Sequence, residues 1–417
     1  MKFHPLVWLL STFILFTATA SAEDWTDEFA DAVKGGEFNL NFRYRYEFVD
    51  QDGFDKDANA STLRTRLVYK TGEFHNFSAI INMDDLRPIV GSDYNSTRNG
   101  KTQYPLVPDP KATSLNLAAI SYTGLENTEI VLGRQRIIRG NHRFIGNVGW
   151  RQNEQTYDAI AGTYKFLEKG EVFVSYVDRV KRVFGPDDAD PPNPVFESDF
   201  RSDSFLFDAG YTFNPLIAVT GYAYLLDLEN ADPLSSETFG IRLSGGQDIG
   251  SDWKVAYVGE YASQEDYGDN PNDYDADYYL VEAGFNWTKF GLKAGYEVLE
   301  GNGIAGESFL TPLATLHKFN GWADKFLATP PDGLEDLYIE ASANILKGNM
   351  SLVYHDFSAD NGSSDYGDEI DFVAKWGFGK YYSVLAKFAL YSGDSEAPIT
   401  FLQADVDKYW VMLTAAF

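Results

Sequence analysis

Residues 37–48 alternate without interruption: Phe38, Leu40, Phe42, Tyr44, Tyr46 and Phe48 fall on one side of an extended chain, and Glu37, Asn39, Asn41, Arg43, Arg45 and Glu47 on the other. Successive side chains of a strand point to opposite faces, so this run has one greasy flank and one wet one. A strand of a soluble sandwich also alternates, but its polar face rarely sets two arginines behind an aromatic flank. The pattern fits the wall of a membrane barrel, where every second side chain meets lipid and the others line an aqueous lumen.

The same rhythm recurs along the chain. Leu63, Thr65, Leu67 and Tyr69 alternate with Arg64, Arg66 and Lys70; Phe205, Phe207, Ala209, Tyr211 and Phe213 form another flank; and Tyr279, Val281, Ala283, Phe285 and Trp287 oppose Glu282 and Asn286. About eighteen such segments lie beyond residue 37, each of roughly 9–12 residues, the length of a tilted membrane strand. Facing is ambiguous over 114–122, 128–137 and 154–166, and a bulge in each would account for it. Connections alternate between short (71–73, 124–127, 214–215, 288–290, 347–349) and long (85–113, 139–153, 185–202, 264–276, 300–335, 392–404). The expectation is an all-β transmembrane antiparallel β-barrel of about 18 strands, with short periplasmic turns, long extracellular loops and an even strand number.

Composition agrees. The chain is 16% aromatic, with 26 Tyr and 31 Phe, yet its mean hydropathy is −0.29. Half-polar strands produce that combination, whereas spanning helices need about 20 apolar residues in a row. There is no cysteine, so thiolate metal sites and disulfides are excluded. A net charge of −28 argues against nucleic acid as a partner.

Residues 1–22 have the marks of a cleaved signal peptide: Lys2, an apolar run over 6–16, then Ala20-Ser21-Ala22. Residues 23–36 read as a short periplasmic segment, in which Trp25, Phe29, Ala32 and Val33 suit one or two amphipathic turns; a plain spacer is the simpler expectation. The barrel would then occupy 37–417. Its last strand alternates up to Phe417 and so resembles the closing strands of bacterial outer-membrane barrels, and the bacterial outer membrane is the expected location.

A lumen of this size holds an aqueous channel unless loops fold inward. Arg43, Arg45, Arg64, Arg66 and Lys70 would face it, joined by Arg134, Arg136, Arg151, Arg179 and Arg242. Guanidinium groups grip carboxylates at two points, which suits repeated capture of an anionic solute along a path. The alternative is internal bracing by Glu47, Asp84, Asp158, Glu260, Glu282, Glu297, Glu340 and Asp371. Acidic loops could hold calcium against lipopolysaccharide, although plain solvation is the simpler account. Residues 301–333 are too apolar to float in water and should form a lid or constriction, with His317, Lys318, Trp322, Asp324 and Lys325 as its gating residues.

Several motifs then resemble one family: Arg43-Tyr44-Arg45-Tyr46-Glu47, Leu63-Arg64-Thr65-Arg66-Leu67, Asp109-Pro110, Leu132-Gly133-Arg134-Gln135-Arg136-Ile137, the run from Arg143-Phe144-Ile145-Gly146-Asn147 to Thr156-Tyr157-Asp158-Ala159, and Thr315-Leu316-His317-Lys318-Phe319-Asn320-Gly321-Trp322. They are similar to the alginate export outer-membrane proteins. That resemblance implies an eighteen-stranded barrel with an arginine-rich, loop-gated conduit for a polyuronate, and substrate contact near Arg134–Arg136 and Arg143–Arg151. The expected function is passive passage of an anionic saccharide, export or uptake being open, with an uptake porin for small organic acids or aromatic and hydrophobic solutes as the alternative. Outer-membrane lipid, lipopolysaccharide and periplasmic secretion or uptake proteins are the expected partners. No cofactor or metal is implied. Catalysis is disfavoured, because the histidines are scattered and no Gly-x-Ser-x-Gly or His-Glu-x-x-His motif occurs.

Overall fold

The computed structural model describes residues 22–89, 91, 93–185 and 196–417. The expected signal peptide therefore lies almost wholly outside the described residues. The chain begins with helix α1 (Ala22–Lys34) and continues through strands β1 (Glu37–Gln51), β2 (Ala58–Lys70), β3 (Phe77–Pro88), β4 (Ala112–Leu125), β5 (Thr128–Gln135) and β6 (Thr156–Phe166). Next come β7 (Gly170–Lys181), β8 (Asp199–Asn214), β9 (Ile217–Leu226), β10 (Ser236–Ile249), β11 (Trp253–Asp266) and β12 (Asp275–Trp287). The last are β13 (Phe290–Leu299), β14 (Leu334–Ile345), β15 (Gly348–Ser358), β16 (Asp365–Phe378), β17 (Tyr382–Gly393), a short helix α2 (Thr400–Gln403) and β18 (Val406–Ala416).

Every strand pairs antiparallel with its sequence neighbours, and the 18-stranded sheet closes where β1 meets β18, with Asn41 opposite Ala416 and Gln51 opposite Val406. Closure leaves no open edge, so all ladder hydrogen bonds are satisfied inside the wall. The short connections gather at one rim and the long ones at the other, as the alternation in loop length required. Phe38, Ile81, Phe205, Val281, Leu292, Leu337 and Leu413 are exposed on the outer surface, where hydrocarbon replaces water. Trp253 and Trp287 stack with centroids 5.5 Å apart near the short turns. Toward the long loops the outer face turns acidic, and the hydroxyls of Tyr261 and Tyr279 donate to Asp277 at 3.0 and 2.9 Å.

The ambiguous strands resolve through register shifts, but these do not fall one to each strand. Asn116 is the extra residue on β4, between Leu115 opposite Met83 and Leu117 opposite Asn82. A second irregularity on β4 lies between Tyr122 and Leu125, where it pairs with β5. The third belongs to β7, where Asp178 is skipped between Val177 and Arg179. One extra residue reverses the facing of the rest of its strand, and on β7 this decides where Arg179 points.

Candidate functional site

Two long loops, 136–155 and 300–333, fold into the barrel and meet there. Gly146 N donates to Leu313 O at 2.9 Å, Thr315 N to His142 O at 3.0 Å, and Gln155 Nε2 to Leu313 O at 3.0 Å. Phe144 packs against Tyr222, Tyr278 and Phe309, and Phe326 against Phe357 and Tyr366. These rings are buried, so the loops carry their own apolar core in place of a water-filled bore. The hydrophobicity of 301–333 is explained by this packing. Gly321, at φ +80°, turns the chain so closely against the Glu369 carboxylate that a Cβ would collide with it. Glu369 accepts from the backbone N–H of Ala323 at 2.7 Å, and Asp371 from that of Trp322 at 3.1 Å.

Three strands further round the wall from β16, the arginines of β1 and β2 hold the first loop. Arg43 donates to Gln152 Oε1 at 2.8 Å, to Gly149 O at 3.1 Å and to Arg151 O. Arg45 lies 4.3 Å over the Trp150 ring, donates to Trp150 O and reaches Asp109 at 3.3 Å. Arg151 spans both loops and the wall, with Glu47 at 3.0 Å and Asp324 at 3.0 Å. Arg66 grips Asp84 with both nitrogens, at 2.8 and 2.6 Å, and reaches Glu154 at 2.8 Å, a carboxylate it shares with Arg136. Arg242 pairs with Glu260. Most of these cations are therefore neutralised by buried acids and act as brackets.

Arg43 and Arg64 are different. They sit directly opposite one another in the β1–β2 register, and their hydrogen bonds go to neutral acceptors: those named above for Arg43, and Asn41 Oδ1 at 2.9 Å for Arg64. Arg64 Nε is buried with no hydrogen-bond partner. Among the described residues neither guanidinium therefore has a direct ion pair, the acids acting on them from farther off being Asp109 for Arg43 and Asp84 and Glu154 for Arg64. Lys70 reaches the periplasmic rim, where it is exposed.

Two expectations are corrected. In β5, Leu132 is 48% exposed on the lipid side and Gln135 is buried within, so Arg134 faces outward. There it grips Asp158 at 2.7 Å through both Nε and Nη2. Past the extra residue Asp178, Val180 turns inward and Arg179 outward, paired with Asp199 at 2.6 Å. Neither arginine lines the lumen: Arg134 shares the lipid side of β5 with Leu132, and the extra residue Asp178 inverts β7 ahead of Arg179.

The second loop carries a compact latch that sequence reading did not assemble. His317 Nδ1 lies 2.6 Å from Asp324 Oδ1, and its Nε2 lies 2.8 Å from Lys387 Nζ. An ammonium can only donate, so Nε2 accepts and the proton of the neutral ring sits on Nδ1. Lys387 is caged by Trp322 at 3.6 Å, Trp150 at 4.3 Å and Trp410 at 5.2 Å, and Trp150 stacks on His317 at 4.8 Å. Asp324 also takes Lys408 at 2.9 Å. Lys325 bonds Ala404 O at 2.6 Å, and burial, with Lys408 nearby, pushes its ammonium down to about 8. The missed participants are Lys387, Lys408 and Trp410, each the inward member of an alternating strand.

Burial pushes the His317 imidazole well below its usual range; Asp324 pulls the other way, and Lys387 and Arg151 reinforce the push. A histidine with a depressed folded pKa stabilises its structure above its unfolded value and loses that contribution as pH falls below it. Below about pH 6.5, each pH unit therefore costs the latch up to roughly 1.4 kcal/mol. Asp324 is held below its usual range, by His317 and Lys408 against its burial, and stays charged through that window. Channel openings are expected to become more frequent between pH 7 and 5 in planar-bilayer recordings, and His317→Gln should flatten that dependence. Equal pH sensitivity in the two proteins would remove His317 from the latch.

Beneath the second loop lies a cavity of about 270 Å3, lined among others by Arg242, Lys293, Lys318, Phe319, Trp322 and Tyr338. Lys293 is bracketed by Glu282 at 3.3 Å and Glu340 at 2.9 Å. Lys318 instead donates to the carbonyl of Asn141 at 2.7 Å. Its ammonium is lowered by burial and by the neighbouring Lys293 and Arg242. The carboxylates of Glu282, Glu297, Asp336 and Glu340 line it as well, so its charge is mixed, and Lys318 is a cation there whose bonded acceptor is neutral.

Residues 36–298, more than half the chain, match the family model for alginate export. No curated protein matches the sequence. Among solved structures, OccAB2 of Acinetobacter baumannii superposes with a TM-score of 0.71 at 14% identity, covering 93% of this chain and 99% of its own. OccK3 (OpdO) of Pseudomonas aeruginosa gives 0.69 at 12% identity, covering 94% and 98%. OpdK of Pseudomonas aeruginosa, solved with vanillate, gives 0.66 at 12% identity, covering 91% and 98%. These likenesses establish the eighteen-stranded porin fold. Together with the family match, they place the chain in the bacterial outer membrane.

Proposed function

The chain belongs to the alginate export family, a family of outer-membrane channels, and we propose that its own cargo is an anionic saccharide of the alginate type, moving by passive diffusion when the two inner loops shift. Fold and family are those of passive channels. The observation that carries the proposal is the Arg43–Arg64 pair, two inward guanidiniums whose hydrogen bonds go to neutral groups. Such a pair favours a carboxylate-bearing chain over a neutral or cationic one, because each passing uronate offers a direct carboxylate partner where the wall supplies neutral acceptors. Arg45, Arg66, Arg136, Arg151 and Arg242 are bound to acids, and Arg45, Arg66 and Arg151 also hold the first loop.

A shorter cargo is the second reading. The cavity holding Lys318, Phe319, Trp322 and Tyr338 is of single-ring size, and a structural neighbour was solved with vanillate. An aromatic monocarboxylate would set its ring on those walls and its carboxylate on Lys318.

Current interruption by added ligand separates the two readings. Oligouronates of increasing length are expected to block with residence times that lengthen with chain length, and Arg64→Gln, which removes a side chain with one neutral hydrogen bond, should shorten them about tenfold, the loss of one charge-assisted contact. Block by an aromatic monocarboxylate alone, sensitive to Lys318→Gln and unaffected at Arg64, would favour the second reading. Absence of block by either ligand would contradict both.

A further inference from the structure

Helix α1 is more than a spacer. On its surface Trp25, Phe29, Ala32 and Val33 form one stripe, while Asp27, Asp31 and Lys34 lie opposite. The helix is fastened to the barrel at the short-turn rim: Gly72 N donates to Ala32 O at 2.8 Å, and the Tyr69 hydroxyl donates to Val33 O. Trp25 meets Phe74 edge-on at 5.2 Å and stacks on His75 at 5.1 Å, and Phe29 meets Phe74 at 5.6 Å. These contacts cover only part of the stripe, since Trp25 is 47%, Phe29 57% and Val33 38% exposed.

Tyr69 belongs to the outward set of β2, with Leu63, Thr65 and Leu67, so the helix lies on the outer flank of the wall. Phe38 and Phe77, the lipid-facing aromatics next to this rim, are likewise exposed. The apolar stripe therefore continues a surface that the bilayer already covers.

We infer that α1 is an interfacial anchor, lying in the periplasmic leaflet of the outer membrane with Trp25, Phe29 and Val33 among the phospholipid acyl chains. Most amphipathic anchors are basic and use anionic headgroups. This one is acidic, with five carboxylates against the single cation Lys34 over residues 22–34. Its insertion must therefore rest on apolar burial and on its covalent and hydrogen-bonded tie to the barrel, which makes it insensitive to anionic lipid content.

The absence of native cysteine allows clean labelling. Nitroxides at Val33→Cys, Asp27→Cys and, as a wall reference, Ile81→Cys, in the protein purified from outer membranes and placed in phosphatidylethanolamine nanodiscs, report collision with oxygen and with a water-soluble nickel chelate. The anchor is expected to give position 33 an oxygen-to-nickel ratio several-fold above position 27 and close to position 81, unchanged when phosphatidylglycerol is added. All three labels lie on exposed surface, and heat-modifiable mobility checks that each barrel has folded. Equal ratios at 33 and 27 would mean a helix in water. Protection of 33 from both reagents would mean a protein partner or second copy on the stripe. Either result overturns the inference.

Discussion

A barrel in which residues 302–332 are excised and Gly301 is joined to Gly333 should insert normally and conduct on the order of ten times more current than the parent, as expected of an eighteen-stranded wall without its plug. The excision is structurally mild at the wall. Gly301 already lies against the backbone of Pro331 and Gly333, so closely that a Cβ there would collide, and the β13–β14 ladder below it runs in register to Leu299 opposite Leu334. The removed segment supplies Phe309, Leu313 and Phe326 to the core inside the lumen, and His317 and Asp324 to the latch. Loop 136–155 then loses its partner for Gly146 N and Thr315-bound His142 O. Single-channel recording measures the outcome. An unchanged conductance would mean that ions already bypass the loops, and the gating account would fail.

The second large effect is at Arg151. Its guanidinium neutralises Glu47, which is wholly buried, and holds Asp324 in the other loop. Burial would lower its charge affinity, but Glu47, Asp324 and Asp109 raise its pKa above the usual arginine range. Arg151→Ala leaves Glu47 with Arg45 at 3.9 Å as its remaining ion pair. Removing one partner of a buried pair costs about 3–5 kcal/mol, mostly from the stranded charge. That loss falls on the attachment of the loops, because no wall ladder involves Arg151. The expected result is protease cleavage in 136–155 and 300–333 with the heat-modifiable barrel intact. As a contrast, Arg87→Ala removes a half-exposed pair with Asp85 on the outer face, which should cost under about 1 kcal/mol. Equal effects of the two substitutions would refute the bracket role.

The wall was legible because its signal is local. A period of two, repeated from Phe38 to Phe417 and broken by alternating short and long connections, specifies strands, facing and strand count without any distant contact. Facing failed at Arg134 and Arg179 for local reasons: β5 ends at Gln135, so Arg134 keeps the lipid side with Leu132 while Arg136 turns inward from the loop, and the extra residue Asp178, which carries no compositional mark, inverts the facing of Arg179 beyond it. The interior was legible only in part. That 301–333 must fold inward could be read from its apolar side chains, and the bracing acids Glu47, Asp84, Glu260 and Glu297 were candidates. Several brackets are local, since Arg66–Asp84, Arg136–Glu154 and Arg242–Glu260 each lie 18 residues apart, but the contacts between wall and first loop join residues about a hundred apart, such as Arg43 with Gln152 or Arg151 with Glu47, and nothing in the linear spacing encodes those. The cage around Lys387 has the same character, since it draws on two loops and the strands β17 and β18.

The direct test of the account is the reversal potential of the native channel under a salt gradient, together with that of Arg64→Gln. Guanidiniums without a direct ion pair at Arg43 and Arg64 predict preference for anions in the native protein and a clear loss of that preference in the variant. A cation-selective native channel, with a potential unmoved by the substitution, would contradict it.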